Sequence, residues 1–545
     1  MINGRTDFTS STLAAIPFQL LPYAVYDNLA LEQTLKWQSD FARDFGKFPT
    51  IAVLGLGRMA ENFAVNLKTQ SYQAVTELQC SGASDLAQTA ELKSDYTVIV
   101  AENRWLHPQA LFIFAKKISE NPGKSWFANE LIVEADLKQS KRYRARQYRR
   151  VSPQIDEVHF ISTNVIGGAL SLPTTLLKKI LTHPSLKDLS PSALFEQLAF
   201  LALTAAPQTF KHIPLALTVC SGSAPELAAS ERVYLAQERL KLLGLKPTAV
   251  NYVQGAIDIK FSPQPASIQV VIPFKDQATL TIRCVQSLMR DQLFKDMRIS
   301  LIDNNSQVEE RKKISEAFKA VSQVEVISRP TYFNYAAVNN FGASLTKSDY
   351  ILFMNNDVEL RGESTVEKLL SWAEQPGVGL VGGLLYYPDG RIQSGGIRFA
   401  SVRPANIAQA NEAVRQIRKV NAVALAMALV KRSVFEAVGG LDEWNCPNGF
   451  GDALFGKKVW DSGKMVILNP FAEATHYESI SRGRSVEELE LSELMDQGVP
   501  IADLFHDRDA IYQPEIIDLD PLRSSKTLRK IVRSIKSGVA AVMRY

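Results

Sequence analysis

The residues best suited to chemistry fall in four groups between positions 268 and 485. Asp276 follows the apolar run IQVVIPF, which contains Pro273. Asp303, Asn304 and Asn305 follow ISLI, and Asn355, Asn356 and Asp357 follow YILFM. Asp452 opens a helical pattern in GFGDALF, and His476 comes after a later strand pattern, in ATHYESISRG. Polar groups that end apolar runs stand at the carboxyl edge of a buried parallel sheet, where open α/β sheets bind ligands. Such a set can hold a nucleotide base and ribose, a divalent cation on a diphosphate, and a general base for an incoming hydroxyl. Each group alone has a plainer reading. Asp303 and Asp357 suit turns, and His476 alone is more often structural. Asp452 suits a helix start, where Asp is worth about 0.5–2 kcal/mol. Their order along one chain favours the site.

The elements that must position these groups alternate. Strands are expected at Ile299–Asp303, Val324–Ser328 and Tyr350–Met354, with helices over Thr279–Arg290 and Glu309–Val321 between them. That alternation predicts an α/β fold with a mostly parallel sheet.

Eight segments carry a resemblance: VVIPFKD, LIDNNS, FNYAAVNNFGA, YILFMNNDVEL, LVGGLLYYPDGRIQSGGI, VFEAVGGLDE, GFGDALFGKKVWDSG and HYESISRG. In this order, over about 268–485, they resemble the family 2 glycosyltransferases of the GT-A fold, nearest the bacterial rhamnosyltransferase-like branch that builds surface polysaccharides. The resemblance implies nucleotide contacts from Pro273, Asp276, Asp303, Asn305, Asn355 and Asn356. It implies a metal motif in Asn355–Asn356–Asp357, with Asp357 and His476 as ligands of Mn²⁺ or Mg²⁺ and Asp452 as the general base. It further implies a nucleoside-diphosphate sugar donor, a glycan or lipid-linked oligosaccharide acceptor, and an inverting single displacement. Five residues depart from the family pattern: Leu454, Gly451, Ser394 and the pair Ala424–Leu425.

The first half repeats the pattern in weakened form. PTIAVLGLGRMAENF stands where IQVVIPFKDQATL does, SDYTVIVAENRWL resembles SDYILFMNNDVEL, and HIPLALTV resembles the closing strand. Ala101–Glu102–Asn103 replaces the metal motif, LSPSALFEQLAF lacks the acid, and no histidine follows the closing strand. The expectation is a GT-A-like domain without activity of its own. Its other segments up to about residue 238 read as helical. A competing dinucleotide reading rests on Gly55, Gly57 and Ala60 with Glu77 as the acid, a weak match on its own.

The 545 residues suffice for several domains, and a net charge of +4 does not argue for nucleic acid. Cys80, Cys220, Cys284 and Cys446 show no paired spacing, which fits a reducing compartment. No signal peptide or membrane span is expected, so a cytoplasmic location follows. The basic run Lys138–Arg150 reads as a solvated loop or a contact to anionic lipid or polysaccharide. The tail 524–545 is basic and amphipathic, a pattern that lies on an anionic membrane surface or docks on protein. The expected organisation is a helical lead-in (1–48), a degenerate GT-A-like domain (49–238), a linker (239–266), a catalytic domain (267–485) and a helical extension (486–545). The alternative function is a non-catalytic subunit that binds sugar nucleotide or glycan beside other polysaccharide-synthesis proteins.

Overall fold

The computed structural model describes residues 48–477 except 60–62, 69, 71, 73, 108, 134–144, 151–154, 222–225, 400–403 and 407–411, and also residues 515–518. The lead-in, most of the extension with its tail, and residues 138–144 of the basic run lie outside the described residues. The chain divides into two compact units, one of 1–155, 163–243 and 512–545, the other of 156–162 and 244–511.

The first unit is built on β1 (Ile51–Leu56), β2 (Thr76–Cys80), β3 (Tyr96–Val100), β4 (Arg104–Leu106), β5 (Ser125–Val133), β6 (Ala145–Arg150), β7 (Ala169–Pro173) and β8 (Phe210–Ser221). The second has the hairpin β9 (Ala249–Val253) and β10 (Ala256–Lys260), then β11 (Ile268–Phe274), β12 (Met297–Asp303), β13 (Val324–Ser328), β14 (Tyr350–Met354), β15 (Val358–Leu360) and β16 (Val378–Tyr386). It continues through β17 (Ile392–Ser394), β18 (Ile397–Phe399), β19 (Pro404–Asn406), β20 (Arg418–Lys419), β21 (Met427–Lys431) and β22 (Met465–His476). The linker sequence ERLKLLGLKPTAVNYVQGAIDIKFSPQP reads as a helix, a short strand pair and a Pro-containing connector, and the strand pair is the β9–β10 hairpin. Glu515–Asp518, expected within a helical extension, is instead a strand, β23, antiparallel to β6.

The second unit's sheet runs β13-β12-β11-β14-β21-β16-β22-β15. β11 and β14 are buried at every residue, so their sequences are continuous apolar runs. Pairing is parallel from β13 to β14 and between β16 and β22, and antiparallel at β14–β21, β21–β16 and β22–β15. The sheet is therefore mixed, parallel chiefly over β13-β12-β11-β14. Phe353, Phe435 and Phe455 pack together beneath it, with ring centroids 5.5–6.5 Å apart.

The first unit repeats this plan. Its order β2-β1-β3-β7-β5 continues through β8 to β4. Every pairing direction along it matches that of β12-β11-β14-β21-β16-β22-β15. A local contact repeats as well. Thr50 N and Oγ1 both donate to Asp95 Oδ2 at 2.7 Å, and Asp95 N donates to Thr50 Oγ1 at 2.9 Å. Ser267 and Asp349 make the same three bonds at 2.9, 2.7 and 3.0 Å. Both units thus have a GT-A-like α/β fold. The strands β5 and β7 lie where the first half read as helical. Among the described residues no helix is long and apolar enough to cross a membrane.

Candidate active site

The polar turn after β14 meets the end of β22. β15 runs antiparallel to β22 with Val358 opposite His476, which brings together residues 118 positions apart. Tyr477 N donates to the Asp357 carbonyl at 2.9 Å and closes the corner. His476 Nε2 then lies 3.2 Å from Asp357 Oδ1 and 3.4 Å from Asn355 Nδ2. His476 is buried, and its Nδ1 faces Gln393 Oε1 at 2.8 Å.

Asn355 is held by Tyr335, whose hydroxyl donates to Asn355 Oδ1 at 3.1 Å. Tyr335 opens the helix Tyr335–Ser344, which Asn334 caps by accepting from Ala337 N at 2.8 Å. Asn356 points elsewhere: its Nδ2 donates to Thr281 Oγ1 at 3.0 Å. Cys284 is buried below the turn, donates from Sγ to the Asn355 carbonyl at 3.4 Å, and has its thiol pushed up by burial.

A second cluster forms at the ends of β11 and β12. Ser306 ties it: Asp276 N donates to Ser306 Oγ at 2.8 Å, and Ser306 N donates to Asp303 Oδ1 at 2.9 Å. Asp276 Oδ1 also accepts from Gln307 N at 2.7 Å. Asp303 is 1% exposed, and its Oδ2 has no hydrogen-bond partner among the described residues, though Arg311 stands 3.6 Å away. A buried carboxylate oxygen left without a donor is a ready acceptor for a ligand N–H or O–H. Asn305 takes a φ of 65°, which Asn tolerates. Pro273 lies beyond the last β11 residue paired with β14, so its missing N–H costs no bond to that neighbour.

Asp452 stands in the first turn of the helix Gly451–Asp461, its Oδ1 accepting from Ala453 N at 2.7 Å. The loop before this helix is bound to the start of the Tyr335 helix. Ala336 N donates to the Pro447 carbonyl at 3.0 Å, Tyr335 N to Asn448 Oδ1 at 3.0 Å, and Asn334 Nδ2 to the Glu443 carbonyl at 2.9 Å. Tyr335 thus links the loop before the Asp452 helix to Asn355. Gly456 lets the helix sit close: a Cβ there would lie 2.3 Å from Ala422 Cβ. Leu454 is buried with Ala422, Ala453, Cys446, Ile397 and Phe399, which explains an apolar residue where the family pattern has an acid.

Asp357 and His476 suit a hard cation. Among the described residues no group of three or more His, Cys, Asp or Glu forms a metal cage. Two protein ligands fit an ion whose other positions go to phosphate oxygens and water. Sequence reasoning named both but missed Gln393, Tyr335 and Thr281, which stand in quoted or expected segments yet carry no motif signal.

The corresponding place in the first unit is filled by protein. Arg104 of β4 pairs with Cys220 of β8, so Cys220 occupies the position of His476. Arg104 Nε and Glu130 Oε1 form a buried ion pair at 2.8 Å. Burial pulls the Arg104 guanidinium down, but Glu130, Cys220 and Glu102 together more than offset this and hold it above its ordinary value. Pro191, at the start of the helix Pro191–Ala205, closes on Gly57, where a Cβ would lie 2.5 Å from the proline ring. Ser192 Oγ donates to Glu102 Oε2 at 3.1 Å beside it.

Residues 269–439 match the family model described as glycosyl transferase family 2. Two curated proteins are each 29% identical over 226 residues: the uncharacterized protein y4gI of Sinorhizobium fredii and the O-antigen biosynthesis protein RfbC of Myxococcus xanthus. The matches cover 40% and 39% of this chain but only 25% and 18% of those proteins. Among solved structures, GalNAc-T7 with UDP, GalNAc and Mn²⁺ is 18% identical, with a TM-score of 0.35 over 40% of this chain and 45% of that one. The mannosyltransferase PcManGT of Pyrobaculum calidifontis, with GDP-Man and Mn²⁺, is 12% identical, with a TM-score of 0.35 over 46% of this chain and 71% of that one.

Proposed function

We propose that the protein is a metal-dependent, inverting glycosyltransferase, a reading supported by the match of residues 269–439 to the glycosyl transferase family 2 model. It would move a sugar from a nucleoside diphosphate to a glycan or lipid-linked acceptor in surface-polysaccharide synthesis. The observation that carries the proposal is the approach of Asp357 Oδ1 and His476 Nε2 to 3.2 Å at a sheet end beside Asn355. Mn²⁺ or Mg²⁺ held there would neutralise the charge that develops on a leaving diphosphate.

The remaining steps belong to the chain's own groups. Asp303 Oδ2, which lacks a hydrogen-bond donor among the described residues and lies 3.6 Å from Arg311, accepts from the nucleotide, with Asp276 and Asn305 framing the same edge. Asp452 takes the proton of the acceptor hydroxyl, a poor nucleophile until it is deprotonated. Attack from the face opposite the leaving diphosphate inverts the anomeric centre. The relative RfbC, named for O-antigen biosynthesis, supports the polysaccharide context. A basic tail of the 524–545 type would keep the protein near a lipid-linked acceptor at the cytoplasmic membrane face.

The first unit, in this account, supports the second and transfers nothing. Among its described residues, the buried Arg104–Glu130 pair, Cys220 and the Pro191 contact stand where the second unit has its candidate site. The test is a panel of nucleotide sugars given to the purified chain with Mn²⁺ or Mg²⁺ and a lipid-linked or oligosaccharide acceptor. Cation-dependent release of nucleoside diphosphate, lost on Asp357→Ala, is expected. Release that persists in excess EDTA would refute the metal role.

A further inference from the structure

The two ring nitrogens of His476 face opposite demands. Nε2 looks at Asp357 Oδ1 across 3.2 Å, and Nδ1 looks at Gln393 Oε1 across 2.8 Å. Strand register brings Gln393 there. β17 is antiparallel to β16, with Ser394 opposite Leu385 and Ile392 opposite Tyr386, and β16 is parallel to β22, with Tyr386 opposite Thr475. Gln393 and His476 are 7% and 8% exposed, so water does little to loosen the pair.

A carbonyl oxygen has no hydrogen to give, so the nitrogen that faces it must carry one. A neutral imidazole has a single N–H, and placing it on Nδ1 leaves a bare lone pair on Nε2. A second contact points the same way. Tyr335 donates to Asn355 Oδ1, which turns the Asn355 amide so that its Nδ2 faces His476 Nε2 at 3.4 Å. An amide N–H₂ is a donor and calls for a lone pair opposite it. The competing tautomer has its own attraction: a proton on Nε2 could be given to the Asp357 carboxylate. That pairing would occupy both ligands with each other and keep them from a cation.

We propose that Gln393 is a positioning residue. It holds His476 as the Nδ1–H tautomer, so that Nε2 and the Asp357 carboxylate are presented together to the divalent cation of a metal–nucleoside diphosphate. The inference rests on the donor-site reading of Asp357 and His476. Partners behind a metal-bound histidine commonly fix its orientation in this way, and losing one typically costs about 10–100-fold in metal affinity.

The test titrates Mn²⁺ by electron paramagnetic resonance into the purified full chain with UDP, GDP or dTDP. Three variants, Gln393→Leu, Gln393→Glu and His476→Ala, are compared with the wild type. Gln393→Leu removes the acceptor and should weaken Mn²⁺ uptake about 10–100-fold, toward the His476→Ala level. Gln393→Glu keeps an acceptor at the same place and should stay close to wild type. Equal affinity in Gln393→Leu and wild type would overturn the proposal, as would Gln393→Glu falling as far as Gln393→Leu. Nucleotide binding in EDTA reports on the fold. If Gln393→Leu loses that as well, the residue has a general structural role and the proposal fails. If the wild-type chain takes up no Mn²⁺ with any of the three nucleotides, the donor-site reading fails instead.

Discussion

Replacing Asp452 by Asn separates a catalytic base from a helix-start residue, because the two roles predict different magnitudes in different assays. In the structure Asp452 lies in the first turn of its helix, and its Oδ1 accepts from Ala453 N at 2.7 Å. An Asn carbonyl can keep that bond. What the fold loses is a negative charge near a helix N-terminus, worth about 0.3–1 kcal/mol. What catalysis loses is the group that takes the acceptor proton, a contribution of typically 10²–10⁴-fold, or about 3–5 kcal/mol of barrier. Transfer should therefore fall by at least about 100-fold while the urea midpoint barely moves. Affinity for the nucleotide sugar should hold, since Asp276, Asp303, Asp357 and His476 are untouched. The assay follows transfer to the acceptor by product mass and donor affinity by calorimetry. A variant with full transfer and a stability loss under about 1 kcal/mol would show that Asp452 only starts its helix.

Three further predictions concern the supports of the site and the first unit. Gly456→Val should destabilise the second unit by about 1–3 kcal/mol and impair transfer, because its side chain meets Ala422 and the Asn421 carbonyl where a Cβ alone would be 2.3–2.6 Å away; unchanged urea midpoint and rate would refute the packing argument. Arg104→Leu leaves Glu130 buried without its cation and should cost about 3–5 kcal/mol in the first unit, read by hydrogen exchange; unaltered exchange would show that the pair contributes little. His107 is buried, which lowers its pKa to about 4. Its neutral form is therefore favoured on folding, and the contribution is intact above pH 6.5 and lost as pH falls toward 4, on the order of 3 kcal/mol over that window. Asn in its place can still accept from Gln109 N and should flatten that part of the pH–stability curve; an unchanged slope would remove His107 as its source.

Legibility followed burial. β11, β12 and β14 were readable within a residue or two, because a strand covered on both faces is a continuous apolar run bounded by polar turns. β5 and β7 were not. SWFANELIV and ALSLP are short apolar runs, which strand and buried helix share. Asp357 and His476 could be named as ligands because motif order marked them, but their 3.2 Å approach depends on the Val358–His476 register. Gln393 depends on two registers, at β16–β17 and β16–β22, which no local pattern encodes. Leu454 looked like a lost acid in the sequence, whereas the structure shows a core residue. Asn356, read as a nucleotide contact, spends its amide on Thr281.

On the proposed function, this chain binds donor at one place, Asp357 and His476 of the second unit, and not in the repeated first unit. Equilibrium dialysis of a labelled nucleotide sugar with Mn²⁺ tests it directly. One donor should bind per chain in the wild type and none after Asp357→Ala, with Glu102→Ala in the first unit leaving the stoichiometry unchanged. Two donors per chain, or binding that survives Asp357→Ala but is lost with Glu102→Ala, would contradict it.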